Sequence, residues 1–416
     1  MSVIERLKKH ILVDGFHVVI DPEKSNGSWI VDAETGRRYL DCYSQFASQP
    51  LGWNYRPFLE KDLSRLKEMS LYKIANSDMY SEVYADFVDT FASIASDFSH
   101  FFFIEGGALA VENALKAAFD WKYQIKNGAL DANNMDVIHL KESFHGRSGY
   151  TLSLTNTDDN KTKWFPKFPW TRVGNPKISS DRMQTQKDED ETIGEIYNTI
   201  KIKDVAAIIF ETIQGEGGDN HFRYSFFQRI RNICNENNIM FILDEVQCGM
   251  GLTGKWWAYQ HKDVIPDMIC FGKKSQVCGF ACTKRIEEVS EHVFKKSGRI
   301  NSTWGGNFVD MERSRIMIEV IKERRLVEHA GTIGDCFLKE LKSLSSSEVT
   351  NVRGQGLMIA FDLPTKGRRD EIIDKFHDNG LLALKSGNNS IRFRPVLTFS
   401  LEDVYDAIHI IKKTLV

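Results

Sequence analysis

Paired cysteines, surplus charge of one sign and long apolar runs are all scarce in this sequence of 416 residues. The seven cysteines are odd in number, form no Cys-x-x-Cys pair and lie mostly in apolar runs, so buried reduced thiols are expected. A disulfide framework or a zinc site is improbable on that count, and no metal is expected. The formal charge of −3 leaves no basic surplus for nucleic acid or for an anionic membrane surface. Met1 to His10 is too charged for the core of a signal peptide, and no later stretch reaches the length of a membrane span. The expected compartment is the cytoplasm. Internal repeats and low-complexity tracts are also missing.

What is present is ample apolar material, 42% of the chain, enough for a large core and two or three domains. Trp29–Asp32 and Arg38–Asp41 flank Ala33-Glu34-Thr35-Gly36-Arg37 as a hairpin would. Tyr43 to Gly52 is polar and aromatic without periodicity, which reads as a surface loop. Phe101–Ile104 is a strand end, Glu105-Gly106-Gly107 a tight turn, and Ala110 to Trp121 places Val111, Ala114, Leu115 and Ala118 on one helical face. A strand, glycines and a helix start offer free N–H groups to an anion, most often a phosphate, although many such turns serve packing alone. At this turn there is neither Gly-x-Gly-x-x-Gly nor Gly-x-x-x-x-Gly-Lys-Ser/Thr, so a nucleotide is not indicated.

Further buried-type strands follow at Val137–Leu140, Val205–Phe210, Ile239–Leu243 and Met268–Phe271, each running into a polar loop. Strands of this kind, mostly separated by helices, predict a largely parallel sheet with its ligands at the carboxyl ends. Beyond Asn307 the spacing predicts a long helical stretch over Met311–Leu344 and then a smaller α+β unit with strands at 356–361, 381–382 and 390–393. Helices are expected over Asp370–His377 and from Leu401, the last capped by Ser400.

Chemistry gathers at the strand ends. Lys273 and Lys274 follow the apolar run Met268–Phe271, and a lysine leaving a core is costly unless it has a task. On these residues alone either lysine reads equally as a solvated loop charge. Asp244 ends another strand 29 residues before Lys273, Gln247 follows it, Phe144 follows a third strand, and the glycine turn at 105–107 lies upstream. Pyridoxal phosphate needs such a set: an amine for its aldehyde, a carboxylate to keep the ring nitrogen protonated, a flat apolar face and donors for the phosphate.

The stretches Glu105–Lys116, Phe144–Thr157, Gln214–Asp219, Phe271–Gly279 and Asn301–Asn307, with Ile11–Gly15, together resemble the class III aminotransferases of pyridoxal-phosphate fold type I. The resemblance covers nearly the whole chain. It implies an α/β large domain with a mostly parallel seven-stranded sheet flanked by helices, plus a smaller α+β domain. The corresponding boundaries are 1–45 for an N-terminal segment contributing to the small domain, 46–305 for the large domain and 306–416 for the small domain. It also implies that Lys273 forms the Schiff base and shuttles a proton, that Asp244 faces the pyridine nitrogen, that Gln247 donates to the ring hydroxyl and that Phe144 stacks on the ring. Lys274 is read as structural. Gly107 and Ala108 match the phosphate cradle. Thr303 matches a residue reaching the phosphate of a neighbouring subunit, hence a homodimer with shared sites.

The resemblance is strongest to enzymes that act on the terminal amine of lysine. Gly106–Ala110 and Gln276-Val277-Cys278 depart from the commoner class III pattern in the way of that branch. The implied reaction moves the 6-amino group of L-lysine to 2-oxoglutarate, giving 2-aminoadipate 6-semialdehyde and L-glutamate. Arg147 resembles the arginine for the distal carboxylate, Arg392 the one for the glutamate α-carboxylate, and Glu216 the acid that pairs with Arg392 when lysine is bound. Phe46 is bulkier than the valine expected in a loop reaching the partner's substrate tunnel, and Val396 stands where a second proline is common. Ornithine, acetylornithine or 4-aminobutyrate as substrate is the alternative. A cofactor-binding protein without activity and a mutase or racemase are more remote readings.

Overall fold

Val205–Glu211, Met240–Asp244 and Met268–Phe271 are buried at every position, the near-continuous apolar composition of strands covered on both faces. In the computed structural model, which describes residues 1–415, they form the centre of a seven-stranded sheet. Its spatial order is His100–Ile104, Cys278–Cys282, Met268–Phe271, Met240–Asp244, Val205–Glu211, Asp136–Leu140 and Arg172–Val173. Pairing is parallel from Met268–Phe271 to Arg172–Val173, and Cys278–Cys282 runs antiparallel to both its neighbours. The fold is the expected mostly parallel α/β architecture. Cys278–Cys282, which the sequence reading left unassigned, is a strand because its mostly buried residues pair with two ladders at once.

Helices cover the two faces. Gly107–Ile125 buries Val111, Ala114, Leu115, Ala118 and Trp121 on one side. Glu82–Ala92 and Tyr224–Glu236 bury their phenylalanines on the other. The helical stretch expected over 311–344 is two helices, Phe308–Glu323 and Leu326–Lys342. The break falls at Arg325, which has φ 51°. The first helix packs on Glu82–Ala92 and the second on the strand Thr350–Gln355, so one straight rod could not serve both.

The C-terminal part carries a four-stranded antiparallel sheet in the order Thr350–Gln355, Met358–Asp362, Ser390–Phe393, Leu384–Ser386. A third sheet joins the chain ends: Trp29–Val31 pairs with Arg38–Asp41, and Arg38–Asp41 runs parallel to Leu381–Leu382. The last helix, Leu401–Leu415, starts with Ser400 Oγ accepting from the Asp403 N–H at 3.0 Å. Among the described residues every cysteine is free; Cys278 and Cys336 are half-buried and the other five buried. No helix of the described residues is long and apolar enough to cross a membrane.

Candidate active site

Sheet register brings the first acidic groups together. Glu211 lies beside Asp244, and Asp244 beside Cys270, at the carboxyl ends of three adjacent strands. Two residues after the last of these strands comes Lys273, in a 3-10 turn Lys273–Ser275 and with φ 54°. Left-handed backbone in a non-glycine residue costs on the order of 1 kcal/mol or more and collects where function demands it. Among the described residues no carboxylate or carbonyl takes the Lys273 amine within bonding distance. Burial pushes that amine below the ordinary lysine range, Arg392 adds to the effect, and Asp244 opposes it. The consequence is a larger neutral, nucleophilic fraction.

Asp244 is buried and held at both oxygens. Oδ1 accepts from the Val246 N–H at 3.0 Å, and Oδ2 lies 2.8 Å from His145 Nδ1. His145 is itself buried, its backbone N–H donating to Thr155 Oγ1 at 2.9 Å. Glu211 clamps two loops: Oε1 accepts from the Phe144 N–H at 3.0 Å and Oε2 from the Gly215 N–H at 2.9 Å. Its burial raises the carboxyl to about 7. Neither His145 nor Glu211 stood out in the sequence. His145 stands there only beside Phe144, and Glu211 only at the head of the polar loop after Val205–Phe210.

Phe144 is half-buried, and its N–H on Glu211 keeps it beside the same strand ends. Its loop touches the start of helix Gly107–Ile125 so closely that a Cβ on Gly146 would come 2.5 Å from the Ala108 Cβ, and Gly146 has φ 113°. Gly107 and Ala108 occupy the first turn of that 19-residue helix, where backbone N–H groups have no intrahelical acceptor. Gly106 before them has φ 97°.

The candidate substrate groups divide. Arg392 is buried and donates from Nη1 to Gln247 Oε1 at 2.8 Å, which leaves the Gln247 amide N–H₂ to donate elsewhere. Arg392 Nε has no partner among the described residues, and burial, with Arg394 next, lowers the guanidinium to about 10. Arg394 pairs instead with Asp219. Glu216 does not sit on Arg392; its carboxylate pairs with Lys161, and Thr157 Oγ1 donates to it at 3.4 Å. Lys161, which nothing in the sequence signalled, lies 5.6 Å from the Phe144 ring centroid. Its amine is lowered chiefly by burial, Asp158 opposing, and further by Arg147 and Arg392. Arg147 is exposed with no acid in ion-pair range among the described residues. Phe46, 54% exposed, and Thr303 lie at the surface.

One further pattern was not picked out from the sequence: Gly249-Met250-Gly251-Leu252-Thr253-Gly254 spells Gly-x-Gly-x-x-Gly. It opens no helix of the dinucleotide type. A Cβ on Gly254 would come 2.9 Å from the Gly331 Cα, so this glycine lets the run pack against the helix Leu326–Lys342.

The donor set fits pyridoxal phosphate. A buried carboxylate, an unpaired amine, a free amide donor, a half-buried aromatic ring and a helix start converge where three strands end, and each part has a counterpart in the cofactor.

Comparison with known proteins agrees. A sequence profile of the aminotransferase class-III family matches residues 13–415. L-lysine-epsilon aminotransferase of Mycobacterium tuberculosis is 45% identical over 427 residues, covering 99% of this chain and 95% of that protein. The protein of that name from Streptomyces clavuligerus is 44% identical over 424 residues, covering 98% of this chain and 92% of that one. Among solved structures, lysine aminotransferase from M. tuberculosis in the internal aldimine form superposes with a TM-score of 0.97 at 44% identity, covering 99% of this chain and 98% of that one. The fold, the strand-end constellation and a profile match over nearly the full length converge on one conclusion: the chain belongs to the class III aminotransferases, which work with pyridoxal phosphate.

Proposed function

We propose that this protein transfers the 6-amino group of L-lysine to 2-oxoglutarate in two half-reactions, yielding 2-aminoadipate 6-semialdehyde, which cyclises, and L-glutamate. The observation that carries the substrate is the 45% identity to an L-lysine-epsilon aminotransferase across 99% of the chain. Pyridoxal phosphate, when bound, supplies the carbonyl that accepts the amine and the electron-poor ring that stabilises the resulting carbanion.

The chain's own residues then do the following. Lys273 holds the cofactor between turnovers and moves the proton at the substrate carbon. Asp244, steadied by His145, keeps the ring nitrogen protonated. Gln247 donates to the ring hydroxyl, Phe144 covers one face, and the N–H groups of Gly107 and Ala108 bind the phosphate. Arg147 takes the distal carboxylate of either substrate, its planar fork matching the two oxygens. Arg392 takes the glutamate α-carboxylate. With lysine bound there is no second carboxylate, and Glu216 leaves Lys161 to neutralise Arg392.

Thr303 and Phe46 are surface residues of one chain, and this reading assigns them to the neighbouring site of a homodimer. Residues 46–305 form the cofactor domain, and 306–416 with the segment 1–45 the smaller one. The cytoplasm is the compartment where both substrates are at hand.

The test is lysine-dependent glutamate formation by the purified protein with pyridoxal phosphate, in the wild type and in Lys273→Ala. Lysine should be consumed by the wild type, and the variant should lose about 10²–10⁴-fold in rate, the usual weight of a positioned proton-transfer group. Ready use of ornithine or 4-aminobutyrate with lysine ignored would overturn the substrate; equal activity of the two proteins would overturn the role of Lys273.

A further inference from the structure

Four consecutive residues, Ser44 to Ala47, have φ values of 41°, 55°, 59° and 65°. None is glycine or asparagine, so the turn is unfavourable wherever L side chains are concerned. Its entry is fixed by Asp41, whose Oδ1 accepts from the N–H groups of Tyr43 and Ser44 at 2.8 and 2.7 Å. Ser44 Oγ also donates to the Arg394 carbonyl, and the remaining side-chain donors to this segment from outside it come from the turn that carries Lys273.

Lys274 is only 2% exposed. Its Nζ donates to Ser44 Oγ at 3.3 Å, to Ala47 O at 3.2 Å and to Gln49 O at 3.3 Å. All three ammonium protons therefore go to one segment. Gln276 Nε2 adds a second strap, to Ser48 O at 2.8 Å and back to Lys273 O at 3.2 Å. The turn supplying these donors is itself left-handed at Lys273 and Gln276, with φ 54° and 60°. A fully buried ammonium is expensive. Here burial lowers it to about 7, Arg394 and Lys273 adding to the effect and Asp41 opposing it. Two unfavourable turns and a costly lysine meet at one place, next to the amine on which the reaction depends.

We propose that Lys274 is a positioning residue: with the Gln276 amide it staples the left-handed turn 44–47 to the Lys273 turn, aiming the Lys273 amine on one side and holding Phe46 at the surface on the other. The inference rests on Lys273 as the amine that captures the cofactor. It makes no use of which amino donor follows.

The experiment compares wild type with Lys274→Met, as holoenzyme and after cofactor removal. In the variant, hydrogen exchange at amides 47–49, whose N–H groups bond back to Tyr43 and Ser44, should rise by about tenfold or more, while the strand Met240–Asp244 keeps its protection. The apoprotein should take up pyridoxal phosphate, followed by absorbance, about tenfold more slowly, and kcat should fall about ten- to hundredfold with KM changed much less. Uniform loss of protection across the chain would mean a merely structural lysine and overturn the proposal. So would unchanged uptake kinetics. Should Lys274→Met not fold, Gln276→Leu removes the outer strap at a half-buried position; faster exchange at 47–49 with slower uptake is then expected, and wild-type behaviour in both overturns the proposal. Exchange and uptake need no amino donor, so they remain readable even if lysine proves not to be the substrate.

Discussion

Asp244 Oδ2 and His145 Nδ1 lie 2.8 Å apart, both side chains buried, although 99 residues separate them in the chain. The histidine fixes one oxygen of the carboxylate that we propose faces the cofactor nitrogen, and the Val246 N–H holds the other.

His145→Phe keeps a ring in place and removes its polar contact, so Asp244 Oδ2 loses its partner while Oδ1 stays on the Val246 N–H. The expected outcome is a fall in kcat of about ten- to hundredfold, comparable with losing the partner of a metal-ligating group, while the cofactor stays bound. Steady-state kinetics with a visible spectrum of the same sample checks both halves.

Glu211 offers a pH test. Its carboxyl ordinarily loses its proton near 4.5, and burial raises that to about 7 in the folded protein. Between these values the folded state holds a proton that the unfolded chain has released, so stability from this group is complete below about 4.5 and is lost as pH rises through 7. Glu211→Gln removes the dependence. Relative to wild type, the Tm of the variant should improve steadily from pH 5 to pH 8, a change worth on the order of 1–3 kcal/mol. A parallel pair of Tm curves would contradict the buried, proton-holding Glu211.

Arg392→Met separates the two substrates. Glutamate should lose about 2–5 kcal/mol of binding, as when one partner of a buried charge pair is removed, whereas lysine should lose far less. Single-turnover measurement of each half-reaction gives the comparison directly, and an equal loss for both would remove Arg392 from the α-carboxylate role.

Gly146→Ala adds a methyl group 2.5 Å from the Ala108 Cβ in a residue with φ 113°. The loop carrying Phe144 and the helix start at Gly107 must then part. The affinity for pyridoxal phosphate, titrated by absorbance, should weaken by about tenfold or more, an amount within the cost of one strained backbone position.

The parts of the site legible in the sequence were those whose chemistry is local. Lys273, Asp244 and the glycine turn each follow an apolar run, and a parallel sheet gathers strand ends in one place. His145 and Glu211 were hidden because their work depends on strand register and not on their neighbours. The Lys161–Glu216 pair likewise joins two loops that share no pattern. Ser44 to Ala47 could not be foreseen as a left-handed turn, since besides Asp41 its side-chain and carbonyl partners include Arg394 and Lys274, the latter some 230 residues on in the chain. The break at Arg325 was equally silent, with neither glycine nor proline to mark it.

The antiparallel strand Cys278–Cys282 sets a limit on the evolution of this enzyme. Ile104, just before the glycine turn at 105–107, pairs with Cys278, and Phe271, just before Lys273, pairs with Gly279. The short hairpin between Phe271 and Cys278 thus sets the registers of both ladders. Inserting or deleting a single residue there would turn the strand's faces inside out and slide the lysine past the helix start it must meet. The length of that hairpin is therefore constrained together with the side chains of Lys273, Lys274 and Gln276 that it carries, because the two ladders on either side fix where those side chains start.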